Sequence, residues 1–235
     1  MVSLEQVSVS YGSRLALREL SLTVPQGGSL ALWGPNGAGK STAFHATLGL
    51  VPYRGRITIG GVDASRRGVA ARRLIGWAPQ DLAPTDMTVG RTLAFMTDVR
   101  EARIGSALDY LVSFGLADTT ALPVAALSGG QRKRLSLALA LVADPPVLLL
   151  DEPTANVDPE ARQHMLRLLQ GLRRQGKTLI MASHRLGDVI RLADHVAHMA
   201  DGMLHRLVPA AGVVRRTRMA SGLETRRGVR SCGDA

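Results

Sequence analysis

The run Gly34-Pro35-Asn36-Gly37-Ala38-Gly39-Lys40-Ser41 places three glycines just ahead of a lysine and a hydroxyl. Glycines let a loop curl until successive N–H groups point inward, and a helix that starts at Lys40 adds the positive end of its dipole; both features suit phosphate. In that arrangement Lys40 reaches the terminal phosphates of a nucleotide and Ser41 offers its hydroxyl to magnesium. A second chemical pair, Asp151-Glu152, follows the apolar run Val147-Leu148-Leu149-Leu150. Two carboxylates at the carboxyl end of a buried strand lie where open α/β sheets collect ligands. Asp151 is expected in the magnesium shell, and Glu152 is expected to orient or deprotonate an attacking water. Taken alone, acids after a strand also mark an ordinary solvated turn, so the pair draws its weight from the loop.

These groups need a scaffold that presents them at one edge. Strands are predicted at Leu4 to Tyr11, Leu20 to Val24 and Ser29 to Trp33, the last feeding the glycine loop, with a helix from Lys40 to Leu50 behind it. Further strands fall near Arg56 to Ile59 and at Ile75 to Ala78. From Thr88 to about Ala143 the apolar residues recur at spacings of three to four, as in Leu93, Met96, Leu108, Leu111 and Val112, which predicts helices. The apolar run ending at Leu150 reads as a buried parallel strand. A helix at Pro159 to Arg174 with proline at its first position, a strand at Thr178 to Ala182, a helix at Gly187 to Ala193 and a hairpin from Val196 to Leu207 around Asp201-Gly202 complete the pattern. Alternating strand and helix implies an α/β fold with a mostly parallel sheet. The strands before the loop add an antiparallel β subdomain, and residues 84–143 add an inserted helical one. No internal repeat is visible.

Bulk properties narrow the class. The 235 residues, 46% of them hydrophobic, suit one domain that ends near residue 207. The formal charge of +10 points to an anionic partner of some kind. Much of it sits at the end of the chain, where Arg206, Arg215, Arg216, Arg218, Arg226, Arg227 and Arg230 face only Glu224 and Asp234. Residues 208–235 are therefore expected to form a basic, partly disordered and solvated tail. A single cysteine, Cys232, excludes an internal disulfide. The longest apolar stretch, Leu135 to Leu150, is broken by Asp144-Pro145-Pro146 and falls short of the roughly 20 residues of a membrane span. The N-terminus has neither a basic patch nor an apolar run, so no secretory signal is expected.

Leu127-Ser128-Gly129-Gly130-Gln131 resembles the signature loop of the ABC ATPase family, set just before a helix expected to begin at Gln131. The resemblance extends over roughly residues 2–207. It implies ATP as the nucleotide, with Tyr11 against adenine, Gly34 through Thr42 around the phosphates, and magnesium held by Ser41, Gln80 and Asp151. Catalysis is implied for Glu152, Gln80, which senses magnesium and the attacking water, and His184, which contacts the γ phosphate. Ser128, Gly129, Gly130 and Gln131 are implied to bind ATP held by the opposite subunit, so two such domains, identical or related, face each other. Ala155-Asn156-Val157-Asp158 resembles the loop that couples the two sites. Three positions depart from the family pattern: Leu139, Trp77 and Asn156. They touch inter-subunit coupling rather than any phosphate, metal or water ligand. The resemblance implies an ATPase subunit of a transporter, more of the export type, gripping a separate transmembrane permease through a groove at Gln80 to Met96 and sitting on the cytoplasmic face of the membrane. Soluble ABC ATPases that act on nucleic acid or ribosomes carry two ATP domains or a long coiled coil, and neither is present in this chain, so no nucleic-acid partner is expected. An ATP-dependent switch with little turnover is the third reading, and Glu152 and His184 speak against it.

Overall fold

The computed structural model describes residues 1–212. Alternating apolar and polar residues build the first hairpin, in which β1 (Val2–Tyr11) and β2 (Arg14–Val24) run antiparallel with Tyr11 opposite Arg14. After β3 (Ser29–Trp33) and helix α1 (Lys40–Thr47), β4 (Arg54–Ile59) pairs with the other side of β1, and the two-residue β5 (Val62–Asp63) closes a four-stranded sheet ordered β2-β1-β4-β5.

The chain then passes through α2 (Gly68–Arg73) and β6 (Ile75–Ala78) into three helices, α3 (Val89–Val99), α4 (Ile104–Ser113) and α5 (Gly129–Leu141). It returns as β7 (Val147–Asp151), α6 (Pro159–Arg174), β8 (Thr178–Ala182) and α7 (Leu186–Leu192), and ends in the hairpin β9 (His195–Ala200) and β10 (Met203–Pro209). The second sheet has the order β10-β9-β3-β8-β7-β6, parallel throughout except for the terminal hairpin. Every residue of β7 and β8 is buried. Both faces of this sheet are covered, which is why these strands are continuous apolar runs with no polar alternation.

Two apolar cores flank that sheet. One joins Phe44 of α1 with the antiparallel sheet, and the other joins α5, α6 and α7 with the helical segment. Helix α5 bridges core and helical segment. It packs on α4, and its Ala140 carbonyl lies so close to Gly76 in β6 that a Cβ there would come within 2.1 Å.

Several boundaries differ from the sequence reading for identifiable reasons. Strand β2 starts at Arg14 and not at Leu20, because irregular register around Val7 to Ser10 and a left-handed Glu19 (φ 47°) break the alternation that would have marked its first half. The sequence reading contains neither β5 nor α2, since each is too short for periodicity and Ala71 is the only buried residue of α2. Helix α5 begins at Gly129, two residues before Gln131. At the other end β10 continues to Pro209, and Ala210 is buried with its N–H donating to the Asp194 carbonyl at 2.8 Å. The arginine-rich stretch beyond residue 212 lies outside the described residues. Among the described residues, no helix is long and apolar enough to cross a membrane.

Candidate functional site

The glycine loop emerges from β3 and turns into α1. Gly37 and Gly39 hold φ of 81° and 95°, in the left-handed region that costs other residues energy. Gly34 is fixed by crowding: a Cβ there would sit 2.0 Å from the Met199 carbonyl oxygen. The loop therefore cannot accept side chains where its backbone must curl. Lys40, buried at the start of α1, bends back over the loop and donates to the carbonyls of Gly34 (2.8 Å) and Pro35 (2.9 Å).

Opposite the loop, β7 delivers Asp151 and Glu152. The Ser41 hydroxyl donates to Asp151 Oδ2 at 2.8 Å. Burial pushes the Asp151 carboxyl up from its ordinary value, and the neighbouring Glu152 charge acts in the same direction. The Ser41 hydrogen bond and the ammonium groups of Lys133 and Lys40 oppose the shift. Hydroxyl, carboxylate and the Gln80 amide give an all-oxygen donor set. That set fits magnesium, which favours one or two protein oxygens together with phosphate and water over a full protein cage.

Glu152 is 8% exposed and adopts a left-handed backbone (φ 48°), a strained conformation for a glutamate, pinned by its N–H donating to the Ala182 carbonyl at 2.9 Å. Its Oε1 accepts from the His184 backbone N–H at 3.0 Å and lies 2.8 Å from His184 Nδ1. A carboxylate only accepts, so Nδ1 carries a proton in this contact. Glu152 Oε2 is buried and has no hydrogen-bond partner among the described residues. A buried acceptor left unpaired costs about 1–3 kcal/mol and calls for a use.

One cleft of about 960 Å³ gathers Tyr11, Gly34 through Thr42, Gln80, Asp151, Glu152, Ala155, Asn156 and His184. Tyr11, 48% exposed, stands at its mouth. Arg14 and Ala16 also line it, which the sequence reading missed; the tight Tyr11-to-Arg14 turn is the signal that would have placed Arg14 beside Tyr11. Ser128, Gly129, Gly130 and Gln131 do not line the cleft. They form the start of α5, where the Ser128 hydroxyl accepts from Gln131 N–H (3.2 Å) and the Gln131 side-chain oxygen accepts from Ser128 N–H (2.9 Å). This reciprocal cap leaves the Ser128 hydroxyl hydrogen free to donate outward.

The remaining loop residues have structural roles that are visible here. Asn156 takes a left-handed turn (φ 57°) that asparagine tolerates better than most residues, and Asp158 caps α6 by accepting from Ala161 N–H at 2.9 Å. Trp77 packs edge-on against Phe44 with ring centroids 5.4 Å apart, and Leu139 is buried in the core. Lys133, another residue the sequence reading passed over, reaches the back of the site. Burial pushes its ammonium down to about 8, against the pull of Asp151, Asp81 and Glu152.

Comparison with known proteins agrees with this geometry. The family model described as ABC transporter matches residues 17–155. Nod factor export ATP-binding protein I of Sinorhizobium fredii is 38% identical over 222 residues, covering 88% of this chain and 64% of the relative, so the chain spans just under two thirds of that protein. Nickel import ATP-binding protein NikO of Rhodobacter capsulatus is 38% identical over 234 residues, covering 91% of each. The dimeric post-hydrolysis structure of the ATP-binding cassette MJ0796, bound to ADP and Pi, superposes with a TM-score of 0.80 at 25% identity, over 89% of this chain and 99% of that one. With a phosphate loop, a carboxylate pair and a matching family model over more than half its length, the chain belongs to the ABC transporter family, as an ATP-binding subunit.

Proposed function

We propose that the chain binds ATP with magnesium in the cleft and hydrolyses it to drive transport through a separate membrane permease, working as one of a pair of ATP-binding subunits. The observation that carries this reading is the buried, unpartnered Oε2 of Glu152, held on a strained backbone beside a phosphate-binding loop.

In this reading the loop N–H groups and Lys40 take the phosphates, Lys40 exchanging its two loop carbonyls for phosphate oxygens. Ser41, Asp151 and Gln80 would hold magnesium, which would supply neutralising positive charge beside the phosphates. Glu152 Oε2 accepts a proton from the attacking water, while Oε1 stays fixed by His184. His184, with its side chain 60% exposed, contacts the γ phosphate. Tyr11 stacks on adenine, and Thr42 extends the phosphate set.

The start of α5 supports pairing. Among the described residues, a Cβ on Gly129 or Gly130 would meet nothing within 4 Å, and neither has a positive φ, so none of those residues demands glycine there. Each glycine costs a helix up to about 1 kcal/mol relative to alanine. Bare N–H groups at a capped helix start suit a phosphate brought by a second subunit, identical or related. The dimeric form of MJ0796 is consistent with such a pair. Export is the direction we infer, following the Nod factor relative. The permease would hold the chain at the cytoplasmic face of the membrane.

The test uses the full chain, alone and with its permease in vesicles. Magnesium-dependent release of phosphate from ATP and an ATP-dependent rise in mass by light scattering are expected. A chain that neither cleaves ATP nor pairs in its presence, with the permease supplied, refutes the proposal. Uptake in place of efflux would reverse the direction alone.

A further inference from the structure

Lys133 sits among charged neighbours, Arg132 and Arg134, on the second turn of α5, yet it is only 6% exposed. Its ammonium donates to three backbone carbonyls: Gln80 at 2.7 Å, Asp151 at 2.9 Å and Pro79 at 3.1 Å. An ammonium has three donors and no acceptor, so this set satisfies it completely. The three carbonyls lie at one topological point. Strands β6 and β7 run in parallel as far as Ala78 opposite Leu150, and there the ladder ends. Beyond it the two chains part, one carrying Gln80 and the other Asp151 and Glu152 into the cleft. The Asp151 carbonyl, buried where the ladder ends, needs a donor; Lys133 supplies it from a third element, the helix capped by Ser128, and reaches the part-buried Pro79 and Gln80 carbonyls as well.

We infer that Lys133 is a positioning residue for hydrolysis, fixing the Gln80 and Asp151 segments to one another and to the start of α5. The inference rests on the proposed ATPase function, but its geometry does not. No atom of Lys133 needs to touch nucleotide; it acts through the backbone of the residues that do. Its three contacts join the two cleft segments to the helix whose first turn is offered to the second subunit, so a shift of that helix reaches Gln80 and Asp151 together.

The experiment compares the full native chain with Lys133→Met, similar in length and without donors, and reads three quantities. Hydrogen–deuterium exchange without nucleotide is expected to quicken at residues 79–82 and 151–154 and to stay native in β3 and β8. Affinity for a fluorescent ATP analogue without magnesium is expected to stay within about threefold of native, because the phosphate loop is untouched. The turnover number with magnesium and ATP is expected to fall at least tenfold with KM within about threefold. Lys133→Gln, which keeps a shorter donor, is expected to recover part of the loss in exchange protection and in turnover. Native turnover together with native exchange at 79–82 in Lys133→Met overturns the inference, as does faster exchange spread equally through β3 and β8. Should the methionine chain fail to fold, Lys133→Gln decides: intermediate values uphold the inference, and native values overturn it. A native chain that cleaves no ATP would refute the proposed function, while the exchange comparison would still decide the role of Lys133.

Discussion

Replacing Glu152 with glutamine separates a chemical role from a structural one, because the two predict opposite signs. The His184 backbone N–H donates to Oε1 at 3.0 Å and needs an acceptor, so the glutamine oxygen stays there and the amide nitrogen takes the place of the unpartnered Oε2. A donor then stands where an acceptor for the water's proton is required. Loss of a positioned general base costs typically 10²–10⁴-fold. At about 1.36 kcal/mol per factor of ten, that is about 3–5 kcal/mol of barrier. Stability moves the other way. The substitution removes a buried charge and its repulsion of Asp151, a gain of about 1 kcal/mol, or about 2–4 °C in melting temperature for a domain of this size. Steady-state phosphate release, nucleotide titration and a thermal melt on native and variant chains supply the three numbers. Turnover should fall by about a hundredfold or more, nucleotide affinity should change little, and the melting temperature should rise slightly. Turnover within about threefold of native would show that the water is activated elsewhere. A melting temperature lowered by more than about 5 °C would mean that Glu152 holds the fold rather than the water.

Three other perturbations probe the scaffold. Ser41→Ala deletes the hydroxyl paired with Asp151, so ATP affinity should weaken about tenfold with magnesium present and remain native with a chelator added, as isothermal titration can read. Asp194→Ala removes an acceptor of the Ser29 N–H (2.9 Å) and hydroxyl (2.8 Å) and a partner of Arg173, together about 1–2 kcal/mol after allowing for partial exposure, or about 3–6 °C at pH 7. Although burial alone would raise it, the Ser29 and Arg173 contacts hold the Asp194 carboxyl below its ordinary value. Its contribution is therefore complete above the unfolded pKa of about 3.9 and is lost as pH falls through the lower folded value, so native and variant melts should converge below about pH 4. A chain ending at Gly212 should keep native turnover and melting temperature, whereas one ending at Leu207 loses Val208, the last β10 pairings and buried Ala210 and should melt about 5–10 °C lower.

What could be read from the sequence follows from the range of the forces involved. Ser29–Trp33, Ile75–Ala78, Pro159–Arg174 and Thr178–Ala182 have the same boundaries in sequence and structure, because a mostly buried parallel strand or a proline-started helix carries its signal in its own residues. The Gly34 to Ser41 loop is legible for the same reason: its glycines answer to local backbone geometry. Arg14 enters the cleft because the hairpin folds it back opposite Tyr11; the turn between them is local, but the start of the second strand is masked by the irregular register around Val7 to Ser10 and the left-handed Glu19. Lys133 is the extreme case. In sequence, Arg132-Lys133-Arg134 is a run of three basic residues, and its composition does not mark the middle one as different. Its burial is decided by the point at which β6 and β7 separate, more than 50 residues away on one side and 18 on the other. Residues that carry charge to a ligand are visible through their company in the chain. A residue that fixes the backbone beneath them becomes visible only when every buried carbonyl is asked where its donor is, and at the divergence of these two strands the answer is a single ammonium reached from the helix that begins at Ser128.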